Sequence, residues 1–288
     1  MGKKCKCLTC GRDGTTHEFH PVAHTTGTRY ICEYCARRVD RYTDENTSER
    51  GHDKNGLTFS CEFEIPSEFG IAFPDDYLTR AQYLLAQGFE STYDCTVWRE
   101  YKSPIYHGLQ SFSRVAAQID KILQPERWNT SGVYGTHCNI GRIGYGGDDV
   151  TILRTWYSTL TRRLYATINA DRDACGRIYG RTESMWAQTN PEACPTEHAL
   201  FINLQHTTHI EFRLSKYINS RQYMECVKTN ADIAGAMFDF VATVKQNCRR
   251  FSGAALIAEN RKAAEKASRK IDNEYRKHAG LPRVNKTA

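Results

Sequence analysis

The run 57–66, Leu-Thr-Phe-Ser-Cys-Glu-Phe-Glu-Ile-Pro, alternates apolar and polar residues, a period that belongs to a strand and not to a helix. Phe59, Cys61, Phe63 and Ile65 face one side of such a strand, and Ser60, Glu62 and Glu64 the other. Alone, this pattern asks only for a core on one side and water on the other. Three later segments repeat it. Residues 96–100 place Glu100 on one parity, 135–141 bring His137 and Asn139 together, and 209–214 alternate Ile210, Phe212 and Leu214 with His209, Glu211 and Arg213. If these polar parities meet on one sheet face, four carboxylates crowd there. Each pair ~5 Å apart repels by roughly 3 kcal/mol at an effective dielectric near 20. A divalent cation relieves that repulsion, and hard carboxylate oxygens suit magnesium or manganese.

A chain of 288 residues with 40% hydrophobic content is long enough for one sizeable domain and an appendage. No stretch approaches the roughly 20 apolar residues of a membrane span. The lysine-rich start runs into cysteines where a signal peptide needs an apolar core, and Lys6 stands where a myristoylation signal needs Ser or Thr. These features predict a soluble, cytoplasmic protein with no membrane partner. The net charge of +6 is divided: residues 1–42 carry +4 and 249–288 carry +7, which leaves −5 for the middle. An acidic centre flanked by basic ends fits an acidic site better than a uniform nucleic-acid surface, so nucleic acid is a partner of the basic ends only and not the favoured one.

Cys7-x2-Cys10 and Cys32-x2-Cys35 enclose 21 residues. Paired knuckles put four thiolates in tetrahedral reach of one structural zinc, in a segment too short to build a core unaided. A redox pair or plain buried thiols are the alternatives, and Cys5 or one of His17, His20 and His24 can replace a ligand. Residues 1–42 therefore read as a zinc-ribbon-like module, 43–55 as a polar linker, 56–250 as the main domain and 251–288 as a basic helical tail.

Within the main domain, Asp75 and Asp76 can cap a helix to about 87, and Leu109, Phe112, Val115, Ala116, Ile119 and Leu123 form one stripe of a helix over 107–123. The glycine-rich passage 141–149 admits a phosphate, a flap or a plain turn into a helix over 150–167. Strands 199–205 and 209–217 read as a pair. Asn219 or Ser220 starts a long helix to about 246, with Met224, Val227, Ala231, Ala234, Phe238 and Val241 inward. The Ala/Lys/Arg/Glu-rich segment 253–278 predicts an exposed helix with a frayed end.

The order Cys61-Glu62-Phe63-Glu64, Glu100-Tyr101-Lys102-Ser103-Pro104, Tyr134-Gly135-Thr136-His137-Cys138-Asn139, then Phe201-Ile202-Asn203-Leu204 and His209-Ile210-Glu211-Phe212-Arg213, resembles the amidoligase family over residues from about 56 to about 244. That family is related to glutamate-cysteine ligase and glutamine synthetase. The resemblance implies an α+β fold in which packed helices support an antiparallel sheet, with the site on a concave polar face. It implies ATP-dependent joining of a carboxylate and an amine, from small molecules or from protein, through an acyl phosphate. Glu62, His137 and Glu211 would hold one magnesium or manganese ion, Glu64 and Glu100 a second, and Arg213 would bind ATP and act catalytically on the phosphoryl group in transfer. Where the family often has a second histidine this chain has Asn139, which would contact the nucleotide. Arg177 and Arg181 lie where related ligases direct basic residues to substrate. Two other readings compete: phosphoryl transfer to a nitrogen on the same fold, and a zinc-ribbon binding protein with an inactive ligase domain.

Overall fold

The computed structural model describes residues 2–6, 13–24, 27–32, 56–65, 89–94, 97–109, 112–113, 135–182 and 187–284. The architecture is mixed α+β, with an antiparallel sheet and packed helices. Two small hairpins come first: β1 (Lys4–Lys6) pairs with β2 (Asp13–Thr15), and β3 (Phe19–His24) with β4 (Gly27–Cys32), both antiparallel. Among the described residues the main sheet has seven strands: β5 (Leu57–Ile65), β6 (Glu90–Asp94), β7 (Val97–Lys102), β8 (Tyr106–His107), β9 (Gly135–Arg142), β10 (Ile202–Asn203) and β11 (His209–Lys216). Their order is β10-β11-β9-β5-β7-β6, with β8 paired to β5. The pairs β5–β7, β6–β7 and β10–β11 run antiparallel. The chain divides into two compact units, residues 1–52 with 59–135 and residues 53–58 with 136–288.

In the first unit β5 behaves as its alternation predicts. Phe59, Cys61 and Phe63 are buried, while Ser60, Glu62 and Glu64 are only partly covered. Phe59 meets Phe112 with ring centroids 6.0 Å apart, Phe63 meets Phe89 at 6.4 Å, and Tyr106 meets Phe112 edge-on at 5.9 Å. The helix expected over 107–123 begins just past that point: His107 ends β8, Gly108 turns the chain at φ +85°, and Leu109, Phe112 and Ser113 are helical, while 114–123 lie outside the described residues. The zinc residues Cys7, Cys10 and Cys35, the Cys32 side chain, the linker 43–55 and the helix expected over 75–87 lie outside the described residues.

Among the described residues the second unit holds four helices: α1 (Gly147–Ala170), α2 (Arg172–Tyr179), α3 (Ser220–Arg250) and α4 (Gly253–Ala279). None of them is long and apolar enough to cross a membrane. The glycine-rich passage is a turn: Gly144 takes φ +82°, Tyr145 N–H donates to the Arg142 carbonyl, and Gly146 N–H donates to the Asp149 carboxylate at the head of α1. α1 buries Val150, Leu153, Tyr157, Leu160, Leu164 and Ile168 at helical spacing. Its Tyr157 hydroxyl donates to the Ile202 carbonyl at 2.8 Å, and the Tyr165 hydroxyl accepts from Ile202 N–H at 3.2 Å, so short β10 is tied to α1 by both backbone groups of one residue. The strand expected over 199–205 shrinks to Ile202–Asn203. Asn219 caps α3 as expected, its side chain accepting from Gln222 N–H at 2.9 Å. The buried stripe of α3 includes Tyr223 and Cys226, with Met224 half-buried beside it.

α4 corrects the expectation of an exposed, fraying tail. It packs on α1 and α3 and buries Ala264, Ala267, Ser268, Ile271, Asp272, Tyr275 and Ala279. Small residues let the helices approach closely, which is why the stripe looked polar in sequence. Arg276 carries the contact further, donating to Asp272 at 2.8 Å and to the Thr167 hydroxyl of α1 at 2.8 Å. Gly280 at φ +70° ends the helix cleanly, its N–H donating to the Arg276 carbonyl. Replacing Ile271, fully buried, by alanine should cost about 2–5 kcal/mol in urea unfolding, as for other buried aliphatic truncations. Lys266→Ala on the exposed face of α4 should change stability by less than about 0.5 kcal/mol. Equal, small effects would return α4 to the status of an appendage.

Candidate metal centre

The register of β5 and β7 sets Glu64 directly opposite Glu100 and Glu62 opposite Lys102. Because Glu62 and Glu64 are two residues apart, as are Glu100 and Lys102, all four side chains share one face. The Lys102 ammonium sits 3.5 Å from Glu62 and 3.3 Å from Glu100. Its burial works against the charge, but attraction to Glu62 and then to Glu100 outweighs burial and raises its pKa above the usual lysine value. Ser103 fixes this end of the strand pair. Its hydroxyl accepts from Cys61 N–H at 2.9 Å, and its own N–H donates to the Cys61 carbonyl at 2.8 Å, so the backbone beside Glu62 is held from both sides.

In the second unit, His137 and Asn139 share a parity on β9, and Glu211 and Arg213 share one on β11. The opposite parity of β11 is core: Ile210, Phe212 and Leu214 are buried, and Phe212 meets Phe201 edge-on at 5.8 Å. One oxygen of Glu211, Oε1, lies 3.1 Å from His137 Nδ1 and 2.8 Å from an Arg213 nitrogen. All three side chains are at least nine-tenths buried, so these charge-assisted contacts compensate an otherwise costly desolvation. Arg213 Nε is buried and has no hydrogen-bond partner among the described residues. Such an orphaned donor costs about 1–3 kcal/mol, and an anionic oxygen would satisfy it. Contacts to the backbone hold both strands in place: Arg213 N–H of β11 donates to the Phe201 carbonyl at 2.9 Å, and the Tyr223 hydroxyl donates to the His137 carbonyl of β9 at 3.4 Å.

Glu62, His137 and Glu211 each offer a ligand atom, all within 4.8 Å of one another, and Glu64, Glu100 and His137 do the same. These two His/Glu clusters, which share His137, can coordinate a divalent cation. Carboxylate oxygens with one imidazole form a donor set of the kind that binds divalent cations.

Five sequence-predicted ligands, Glu62, Glu64, Glu100, His137 and Glu211, thus fall in the two clusters, with Arg213 on Glu211. Asn139 is buried on the parity of His137. Arg177 and Arg181 instead serve the scaffold. Arg177 donates to the Ala279 carbonyl at 3.3 Å, and Arg181 donates to the carbonyls of Leu214 at 2.7 Å and Arg213 at 2.8 Å. Lys102 was the residue that sequence reasoning passed over. Its parity with Glu100 was the available signal.

Lys102 makes a pH prediction. Its folded pKa is raised, so its contribution to stability is complete below the unfolded lysine value of about 10.4 and is lost as pH rises through the folded value. In EDTA, urea melts from pH 9 to 11.5 should show wild type losing more stability than Lys102→Met over the upper part of that range. Parallel losses in the two proteins would remove Lys102 from the cluster's charge balance. Comparison with protein-family models and with curated proteins gives no match.

Proposed function

We propose that the chain is an ATP-dependent carboxylate-amine ligase that forms an amide or peptide bond. The observation that carries this reading is the pair of His/Glu clusters joined through His137, with the buried, partly unsatisfied Arg213 guanidinium fixed on Glu211. The motif order shared with the amidoligase family supports the same reading.

Glu62, His137 and Glu211 would hold one magnesium or manganese ion, and Glu64 and Glu100 with the same imidazole would hold another. Bound there, the ions supply positive charge to the phosphate oxygens of ATP. A carboxylate oxygen of the first substrate attacks the terminal phosphorus, ADP leaves with the bridging oxygen, and an acyl phosphate results. The amine then attacks the acyl carbon, phosphate leaves, and the ammonium so formed gives up a proton. Phosphoryl transfer demands chiefly positioning and positive charge, and Arg213 provides both: Glu211 orients the guanidinium, and Nε is left to meet an equatorial phosphoryl oxygen. Asn139 can hydrogen-bond a phosphate or ribose, though without the charge of an imidazolium.

The test is mass spectrometry of the chain with ATP, magnesium and a panel of amino acids and amines, following ADP and the new amide together. A product containing a phosphorus–nitrogen bond, with no amide, would replace the ligase reading by phosphoryl transfer to nitrogen. With the substrate pair in hand, Arg213→Ala should slow single-turnover ADP formation tenfold or more, about 1.4 kcal/mol, with ATP affinity nearly constant. Lysine should rescue little, because it lacks the planar fork. Lost affinity with an unchanged rate at saturation would make Arg213 a binding residue only.

A further inference from the structure

We infer that Gly135 is a positioning residue of the metal centre, retained because its missing side chain leaves the space that the Glu64 carboxylate fills. The strand period of β9 puts Gly135 in the row of His137 and Asn139. A Cβ built on Gly135 would lie 1.8 Å from Glu64 Oε2, 2.7 Å from Cδ and 3.4 Å from Oε1. The first two separations are far inside van der Waals contact, so an alanine methyl and this carboxylate cannot coexist.

Backbone conformation does not account for the glycine. Gly135 is the first residue of β9 and lies outside the positive-φ region, unlike Gly144 at φ +82°, where a Cβ would meet nothing within 4 Å among the described residues. Glycine in an extended backbone has an entropic cost that alanine avoids, so on backbone grounds alone alanine is the better residue. What alanine would displace is the end of a flexible side chain, not another backbone. The strand can therefore survive the substitution while Glu64 rotates away. Glu64 is set opposite Glu100 in the β5–β7 register, and its carboxylate is one of the three groups in the second cluster. Moving it leaves Glu62, His137 and Glu211 intact but removes a ligand from Glu64, Glu100 and His137.

The inference rests on the reading of these clusters as a metal centre and is independent of the ligase chemistry. Manganese(II) titrations of wild type, Gly135→Ala, Glu64→Ala and the double variant test it. Gly135→Ala should weaken manganese binding by tenfold or more, close to the effect of Glu64→Ala, and the double variant should be no weaker than Glu64→Ala alone. Wild-type affinity in Gly135→Ala beside a clear loss in Glu64→Ala would overturn the role of the glycine and leave the metal centre standing. Wild-type affinity in Glu64→Ala would instead overturn the assignment of that carboxylate as a ligand, and the inference with it. Should Gly135→Ala melt much lower, the clash account requires the double variant to recover, since the crowding partner is gone. A double variant as unstable as Gly135→Ala would refute it.

Discussion

Two carboxylates facing each other across a strand pair, Glu64 and Glu100, form the contact that most of this structure must accommodate. Like charges opposed in this way are unfavourable, by roughly 3 kcal/mol at ~5 Å and an effective dielectric near 20. The other face of the same strand outweighs that. Phe59 and Phe63 are almost fully buried, each contributing about 1.5–3 kcal/mol, and Cys61 lies between them. The apolar parity thus holds the acidic parity in a register it would not choose. Lys102 supplies partial relief, its ammonium near Glu62 and Glu100, and its raised pKa reflects how strongly the acids demand a counter-charge.

The same division of labour recurs in the second unit. On β11 the core face secures the strand while Glu211 and Arg213 satisfy each other on the opposite parity. Arg181, Tyr157, Tyr165 and Tyr223 bond to backbone carbonyls or amides of the strands. Long side chains from helices and loops thereby do what neighbouring strands do elsewhere. α4 adds a packed surface through Ile271 and Tyr275, with Tyr275 stacked on Tyr179 at 6.4 Å. A segment that reads as a solvated basic tail is part of the core of the second unit.

The candidate ligands were legible because strand parity is a strong signal: one apolar row fixes which residues share the other face. Alternation put Glu62 with Glu64, His137 with Asn139 and Glu211 with Arg213 on the faces of their own strands, and grouping them across strands rested on the resemblance to the amidoligase family. What escaped notice had physical reasons. β6, Glu-Ser-Thr-Tyr-Asp, carries polar residues at nearly every position and has no alternation to detect. The buried face of α4 is built largely from alanine and serine, which hydropathy barely separates from a solvated helix. The scaffold roles of Arg177 and Arg181 depend on carbonyls distant in sequence, such as Ala279 and Leu214. The need for glycine at 135 depends on the Glu64 carboxylate, far away in the chain, which no local pattern encodes.

The claim on which all of this turns is that the carboxylate–imidazole face is a centre for divalent metal, with His137 common to both clusters. Manganese(II) binding followed by electron paramagnetic resonance, in wild type and in His137→Ala, tests it most directly. Wild type should bind manganese saturably, and removing the one shared imidazole should weaken every bound ion, since no cluster is complete without it. Absence of saturable binding in wild type, or binding indifferent to loss of His137, would contradict the account.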